Sequence, residues 1–184
     1  MRAQIFRFRS VPNLITIGRL FLVPVVIDLI VSHRWWGACA IFLVAGLSDA
    51  LDGWLAKTFD LRTELGSYLD PLADKALLVS IYVALAIEAA VPPALAILIV
   101  ARDLIIVGAV LLSWLLRRPM AIRPLLISKI NTVAQILVAA FVLALEAMAY
   151  PVGPWVNSGF YAVAALTLLS MAAYLQQWLR HMSA

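Results

Sequence analysis

Residues 76–116 read ALLVSIYVALAIEAAVPPALAILIVARDLIIVGAVLLSWLL, and the charged positions among them are Glu88, Arg102 and Asp103 alone. A membrane-crossing helix needs about 20 predominantly apolar residues. This stretch is long enough for two such helices, and Val91-Pro92-Pro93 marks the break between them. The expected pair is roughly Tyr68–Ala90 and Pro93–Leu116. Working outward, four further apolar runs appear at Asn13–Val31, Trp36–Ala56, Leu126–Tyr150 and Trp155–Leu179, the last two parted by Tyr150-Pro-Val-Gly-Pro154. Lipid permits little but helix for runs of this kind, because every backbone polar group must find a partner within its own segment.

The composition agrees. The chain has 184 residues, is 65% hydrophobic and 13% charged, and has a mean hydropathy of +1.00. A soluble domain is about 45–50% apolar and about 25% charged, so a soluble fold and a disordered chain are both excluded. The expected fold is an all-α membrane protein of six transmembrane helices, one domain spanning 1–184, embedded in a lipid bilayer. The net charge of +4 suits anionic lipid better than nucleic acid, and no nucleic-acid partner is expected. Cys39 has no second cysteine to pair with, and its apolar neighbours mark it as a buried, inert thiol.

The first ten residues carry Arg2, Arg7 and Arg9 and no acid. A signal peptide is one reading of this end, but the following run is long and lacks a clear small-residue cleavage site, so it reads as a retained first span. The segment before it is too short for a full organelle transit peptide, and a bacterial inner membrane is expected. With the N-terminus in the cytoplasm, the cytoplasmic ends and loops hold Arg2, Arg7, Arg9, Lys57, Arg62, Lys75, Arg117, Arg118, Arg123, Lys129 and Arg180, and the opposite side holds Arg34. That bias puts both termini in the cytoplasm.

Four aspartates stand where a membrane protein should avoid them. They lie in Ser48-Asp49-Ala-Leu-Asp52-Gly53-Trp-Leu-Ala56-Lys57 and Gly66-Ser-Tyr-Leu-Asp70-Pro71-Leu-Ala-Asp74-Lys75. An ionised side chain at a helix centre costs about 2.5–3.5 kcal/mol on insertion scales, and neighbouring carboxylates repel. Asp49 and Asp52 are three apart and Asp70 and Asp74 four apart, so each pair shares a helix face. The linker between the second and third spans is short, so the two helices are expected as antiparallel neighbours whose faces meet near the cytoplasmic surface. Converging carboxylates make a hard-oxygen site for Mg²⁺ or Mn²⁺, and two ions balance four anions. Gly53 and Gly66 leave room for a bulky ligand at the backbone.

Structural readings of the same residues exist. Asp70 fits the N3 partner of a Ser67 N-cap, with Pro71 in the first turn. Asp52 fits an ion pair with Lys57, and Asp74 one with Lys75 or Arg62. Within the fourth span, Arg102 and Asp103 read as a structural pair with Arg19 or Asp28, or as groups reaching a substrate. Trp35, Trp36, Trp155 and Trp178 fall where interfacial anchors belong. His33 and His181 sit at span ends and require no special role. Intramembrane acids also serve ion transport, but internal repeats are not evident and the acids gather near one surface.

The pattern Asp49-x2-Asp52-Gly53-x2-Ala56-Lys57-x8-Gly66-x3-Asp70-x3-Asp74 resembles the signature of the CDP-alcohol phosphotransferases, integral-membrane enzymes of phospholipid synthesis. One position departs: the family usually has arginine where this chain has Lys57, which keeps the charge but loses the bidentate fork. The resemblance implies six transmembrane helices, a homodimer and two divalent ions, Mg²⁺ or Mn²⁺. It implies Asp49, Asp52 and Asp70 as ligands of one ion, Asp49, Asp70 and Asp74 as ligands of the other, and Asp74 as general base. It places Asn13, Thr16, Gly53, Ala56, Lys57, Thr63 and Gly66 at the CDP group. The donor implied is CDP-diacylglycerol.

Val11-Pro-Asn-Leu-Ile-Thr16, Leu69-Asp-Pro-Leu-Ala-Asp-Lys75, Ala101-Arg-Asp103 and Ile127-Ser-Lys-Ile-Asn-Thr132 together resemble the branch of CMP-forming cardiolipin synthases, whose acceptor is phosphatidylglycerol. The sister branch, phosphatidylglycerophosphate synthase, uses glycerol 3-phosphate. Either acceptor carries a phosphate, so a cationic pocket is expected, and Arg117, Arg118, Arg123, Ser128 and Lys129 are its candidates. The same cluster also arises from topology alone, as a binder of lipid head groups.

Overall fold

The computed structural model describes residues 11–58, 64–116, 125–150 and 153–183, with the side chains of 11–15, 49–58 and 64–72 outside the description. Among the described residues all regular structure is helical. We number the helices α1 (Val11–Val31), α2 (Trp35–Thr58), α3 (Glu64–Ile87), α4 (Pro93–Leu115), α5 (Leu126–Ala147) and α6 (Val156–Ser183). Each covers one of the expected apolar runs. α4, α5 and α6 are, among the described residues, long and apolar enough to cross a membrane.

The helices close into a ring. α1 packs on α2 and α3, α2 on α5, α5 on α6, α6 on α4, and α4 on α3; a further contact, α3 on α5, crosses the ring. α1 therefore stands between α2 and α3, and the expectation that those two helices are direct neighbours is corrected among the described residues, where each packs on α1 instead. Small side chains at the helix contacts make this close packing possible. Ala38 and Ala45 of α2, Ala73 and Ala84 of α3, Ala96 of α4 and Ala139 of α5 are all buried. In lipid, where apolar side chains gain little by leaving their solvent, such close approach is a main source of helix association.

The bundle is segregated along its axis. Its apolar core draws on Val26 and Ile30 of α1, Phe42 of α2, Ile81 and Leu85 of α3, Ile99 of α4, Leu143 of α5 and Phe160 of α6. These positions flank the α1–α2, α3–α4 and α5–α6 connections. The buried polar side chains Thr16, Arg19, Arg102, Ser113, Asn131, Gln135, Thr167 and Ser170 lie on the same helices, away from those connections. The outer surface is apolar, with Phe21, Leu47, Leu104, Trp114, Leu126 and Tyr161 all exposed. An exterior of this kind is suited to lipid and not to water.

Several helix ends differ from expectation. α3 and α5 stop at Ile87 and Ala147, short of the apolar runs they belong to. The chain leaves them, and α1, through left-handed residues: His33 (φ 53°), Ala89 (φ 57°) and Ala149 (φ 50°). In each case the next amide reaches back to close the last turn, Arg34 N–H to Leu29 O at 2.8 Å, Ala90 to Leu85 at 2.9 Å and Tyr150 to Leu145 at 2.9 Å. This is the Schellman termination, here without its usual glycine. At its other end α3 begins at Glu64, so Ser67 and Pro71 lie inside the helix. The alternative reading of Ser67 as an N-cap therefore does not hold: the helix starts earlier, and Pro71 interrupts the backbone ladder by leaving the Ser67 carbonyl without its i+4 donor.

Candidate functional site

Asp74 lies near the middle of α3, and its carboxylate forms an ion pair with the guanidinium of Arg19 on α1. Arg19 is sunk between helices, with 2% of its side chain exposed, whereas Asp74 keeps 42% exposed. Thr16 is three residues before Arg19 on α1 and is also buried, so the two belong to one packed face of that helix. The reading of Asp74 as the partner of Lys75 is thereby corrected. Consecutive residues on a helix point about 100° apart, and α3 has α1 on one side and α4 on the other. Asp74 turns to α1, and Lys75 turns to α4.

There Lys75 Nζ donates to Asp103 Oδ1 at 2.5 Å. The same carboxylate oxygen accepts from Arg102. Arg102 in turn donates to Ser128 Oγ on α5 and to Ser170 Oγ on α6, the latter at 2.9 Å. Its guanidinium stands over the ring of Tyr174, 5.7 Å from the centroid, and the Tyr174 hydroxyl accepts from the Leu125 amide at 3.5 Å, just ahead of α5. Arg102 and Asp103 thus pair with each other and with Lys75, not with Arg19 or Asp28 as expected. The reason is the ring order: α4 is flanked by α3 and α6, and α1 lies on the far side of α3.

Deeper in the bundle a second polar seam joins α3, α5 and α6. Tyr82 Oη donates to the Gln135 carbonyl at 2.9 Å, Gln135 Nε2 to Thr167 Oγ1 at 3.4 Å, and Thr167 Oγ1 to Asn131 Oδ1 at 3.0 Å. Trp178, expected as an interfacial anchor, ties α6 to α4 through Ser113 Oγ at 2.8 Å and Ala109 O at 3.1 Å. Trp36 and Trp155 are exposed, as anchors would be. His33 contacts Glu88 at 3.4 Å, at the connection end of the bundle.

The remaining sequence candidates are placed unevenly. Asp49 and Asp52 are on α2 and Asp70 is on α3, so the helical spacing on which their pairing rests is present in the backbone. Their side chains lie outside the described residues, as do those of Asn13, Gly53, Ala56, Lys57 and Gly66. Thr63, Arg117, Arg118 and Arg123 lie outside the described residues altogether. Lys129 is exposed at the start of α5, directly after Ser128. Cys39 is buried, as expected. The chemistry of the donor set fits a divalent ion: all four candidates are carboxylates, and Asp74 remains half-open beside its arginine partner.

Sequence reasoning missed Arg19 as the partner of Asp74, and missed Lys75, Ser170 and Tyr174 as parts of the polar chain. A charged residue inside an apolar run demands a counter-ion, which is a signal for Arg19. The run does not say on which helix that counter-ion stands.

A family model described as CDP-alcohol phosphatidyltransferase matches residues 9–178. The chain is 32% identical over 95% of its length to a fission-yeast (Schizosaccharomyces pombe) protein named cardiolipin synthase (CMP-forming) / mitochondrial hydrolase fusion protein, of which it covers 31%. It is 33% identical over 77% of its length to the Homo sapiens protein named cardiolipin synthase (CMP-forming), of which it covers 52%. It is 33% identical over 90% of its length to the Escherichia coli K12 protein named CDP-diacylglycerol–glycerol-3-phosphate 3-phosphatidyltransferase, of which it covers 93%. The chain thus spans about half or less of the two cardiolipin synthases and nearly all of the bacterial relative.

Proposed function

Since the chain belongs to the CDP-alcohol phosphatidyltransferase family, we propose that it moves the phosphatidyl group of CDP-diacylglycerol onto the hydroxyl of phosphatidylglycerol, giving cardiolipin and CMP. The observation that carries this reading is the eight-position acidic pattern from Asp49 to Asp74, laid on the consecutive helices α2 and α3 and lying within the matched region. The acceptor is argued from the secondary segments Leu69–Lys75, Ala101–Asp103 and Ile127–Thr132 and from the relatives named cardiolipin synthase. A second reading, with glycerol 3-phosphate as acceptor, is favoured by the nearly full-length likeness to the bacterial relative.

The family uses a divalent metal, and here Asp49, Asp52, Asp70 and Asp74 would hold two ions, Mg²⁺ or Mn²⁺. Bound ions would supply charge neutralisation for the diphosphate and would acidify the acceptor hydroxyl. The chain's own part is then as follows. Asn13, Thr16, Gly53, Ala56, Lys57, Thr63 and Gly66 seat the CDP group. Arg19 holds the Asp74 carboxylate in place. Asp74 takes the proton of the acceptor hydroxyl as its oxygen bonds to the β-phosphorus, the bond from that phosphorus to the CMP oxygen breaks, and CMP departs. Arg117, Arg118, Arg123, Ser128 and Lys129 face the acceptor's phosphate. Six membrane crossings, cytoplasmic termini, a cytoplasmic-side site in a bacterial inner membrane and a homodimer complete the proposal.

The experiment is an acceptor swap. Purified protein receives CDP-diacylglycerol with phosphatidylglycerol or with glycerol 3-phosphate, CMP release is followed, and the product is identified by mass. Cardiolipin is the expected product; phosphatidylglycerophosphate would install the second reading; no CMP with either acceptor would remove both.

A further inference from the structure

We propose that Asp103 is a positioning residue that aligns the acceptor side of the site, holding Lys75 directly and the start of α5 through Arg102. The inference rests on the phosphatidyltransferase reading above and goes beyond it in assigning Asp103 and Lys75.

Asp103 sits on α4 among apolar neighbours, with 16% of its side chain exposed. One carboxylate there meets two cations, Lys75 and Arg102. The two cations differ in kind. Arg102 has 3% of its side chain exposed and is committed to Ser128, Ser170 and the Tyr174 ring, so it is out of reach of a substrate. Lys75 has 46% exposed. One anion shared by two cations leaves one positive charge in excess, and the excess lies at the open member. That member is the residue directly after Asp74. Both candidate acceptors carry a phosphate at the other end of the glycerol unit from the hydroxyl that reacts, so an ammonium tethered on the α4 side of α3, away from the Arg19-paired carboxylate, is a group that would orient them.

The other arm works through Arg102. By gripping Ser128 from α4, Arg102 fixes the first turn of α5, where Lys129 follows and the Leu125 amide meets Tyr174. Without the Asp103 charge, Arg102 becomes a buried cation held only by neutral hydroxyls and a ring. Lys75 loses its tether to α4. Both changes misplace groups on the acceptor side, while the α1–α2–α3 side proposed for the nucleotide is untouched.

The test compares Asp103→Asn and Asp103→Glu with wild type, with KM measured separately for CDP-diacylglycerol and for whichever of phosphatidylglycerol or glycerol 3-phosphate the wild type uses. Loss of a charge-assisted contact predicts an acceptor KM raised about tenfold or more in Asp103→Asn, with the donor KM within about threefold of wild type. Asp103→Glu, which keeps the charge, should recover most of the loss. Equal rises for both substrates, an unchanged acceptor KM, or a glutamate no better than asparagine would each overturn the assignment. If Asp103→Asn does not accumulate as folded protein, Lys75→Met carries the same reading: a raised acceptor KM supports it and an unchanged one overturns it. A wild type that releases CMP while these variants behave normally refutes this inference alone. A wild type that releases none with either acceptor refutes the function and the inference together.

Discussion

Arg19 and Asp74 are 55 residues apart and form an ion pair that joins α1 to α3. The arginine is buried and the aspartate half-open, so the pair exposes a carboxylate on a cationic foundation. A buried guanidinium keeps its charge. It therefore needs the acid at least as much as the acid needs it.

Asp74→Asn separates these two roles. The amide oxygen still accepts from Arg19 but no longer neutralises it, so the folded form should persist in detergent with a lowered melting temperature. The proton acceptor is gone, and general-base catalysis is worth about 10²–10⁴ in rate. CMP release should fall by that order. A variant that turns over at a rate near wild type would remove Asp74 from the reaction.

Metal dependence probes the other three aspartates. Chelation should stop CMP release, and Mg²⁺ or Mn²⁺ should restore it. Asp49→Asn removes one anionic ligand, and the metal concentration for half-activity should rise about tenfold or more, in line with the cost of disturbing a metal site. An unchanged Mg²⁺ titration would exclude Asp49 as a ligand.

Tyr82→Phe tests the contact across the ring. The hydroxyl donates to the Gln135 carbonyl at 2.9 Å and is the one side-chain hydrogen bond between α3 and α5 among those described. Hydrogen bonds between membrane helices average about 0.6 kcal/mol and reach about 1.7 kcal/mol. A loss of stability in that range is expected in detergent unfolding, with the donor KM unchanged. A neutral or stabilised variant would show that the seam contributes nothing.

Ala89→Gly and Ala149→Gly address the left-handed helix ends. An L-residue with a Cβ is disfavoured there by about 1–2 kcal/mol, and glycine returns part of that gain by loosening the unfolded chain. Each variant should be more stable by about 0.5–1 kcal/mol. A destabilised Ala89→Gly would mean that the methyl group packs better than the backbone strains.

Much of the architecture was legible in advance because lipid leaves few options. The Pro92-Pro93 break, for example, lies between α3 and α4, at the turn through Ala89. The departures were local. Ser67 and Asp70 carry the side chains of a capping box, yet α3 begins three residues earlier, at Glu64, so that alternative does not hold. Trp178 falls where an interfacial anchor belongs, and the partner of its indole N–H, Ser113, was set by α6 running beside α4.

From the residues alone came the six apolar runs, the break points between them and the spacing of the acids, since these depend on helix period and on the aversion of lipid for charge. Which cation each acid meets was decided only by the ring of helices. Asp74 found Arg19 and Lys75 found Asp103 because α3 is flanked by α1 and α4, and no pattern along one helix states which neighbours will stand on its two sides.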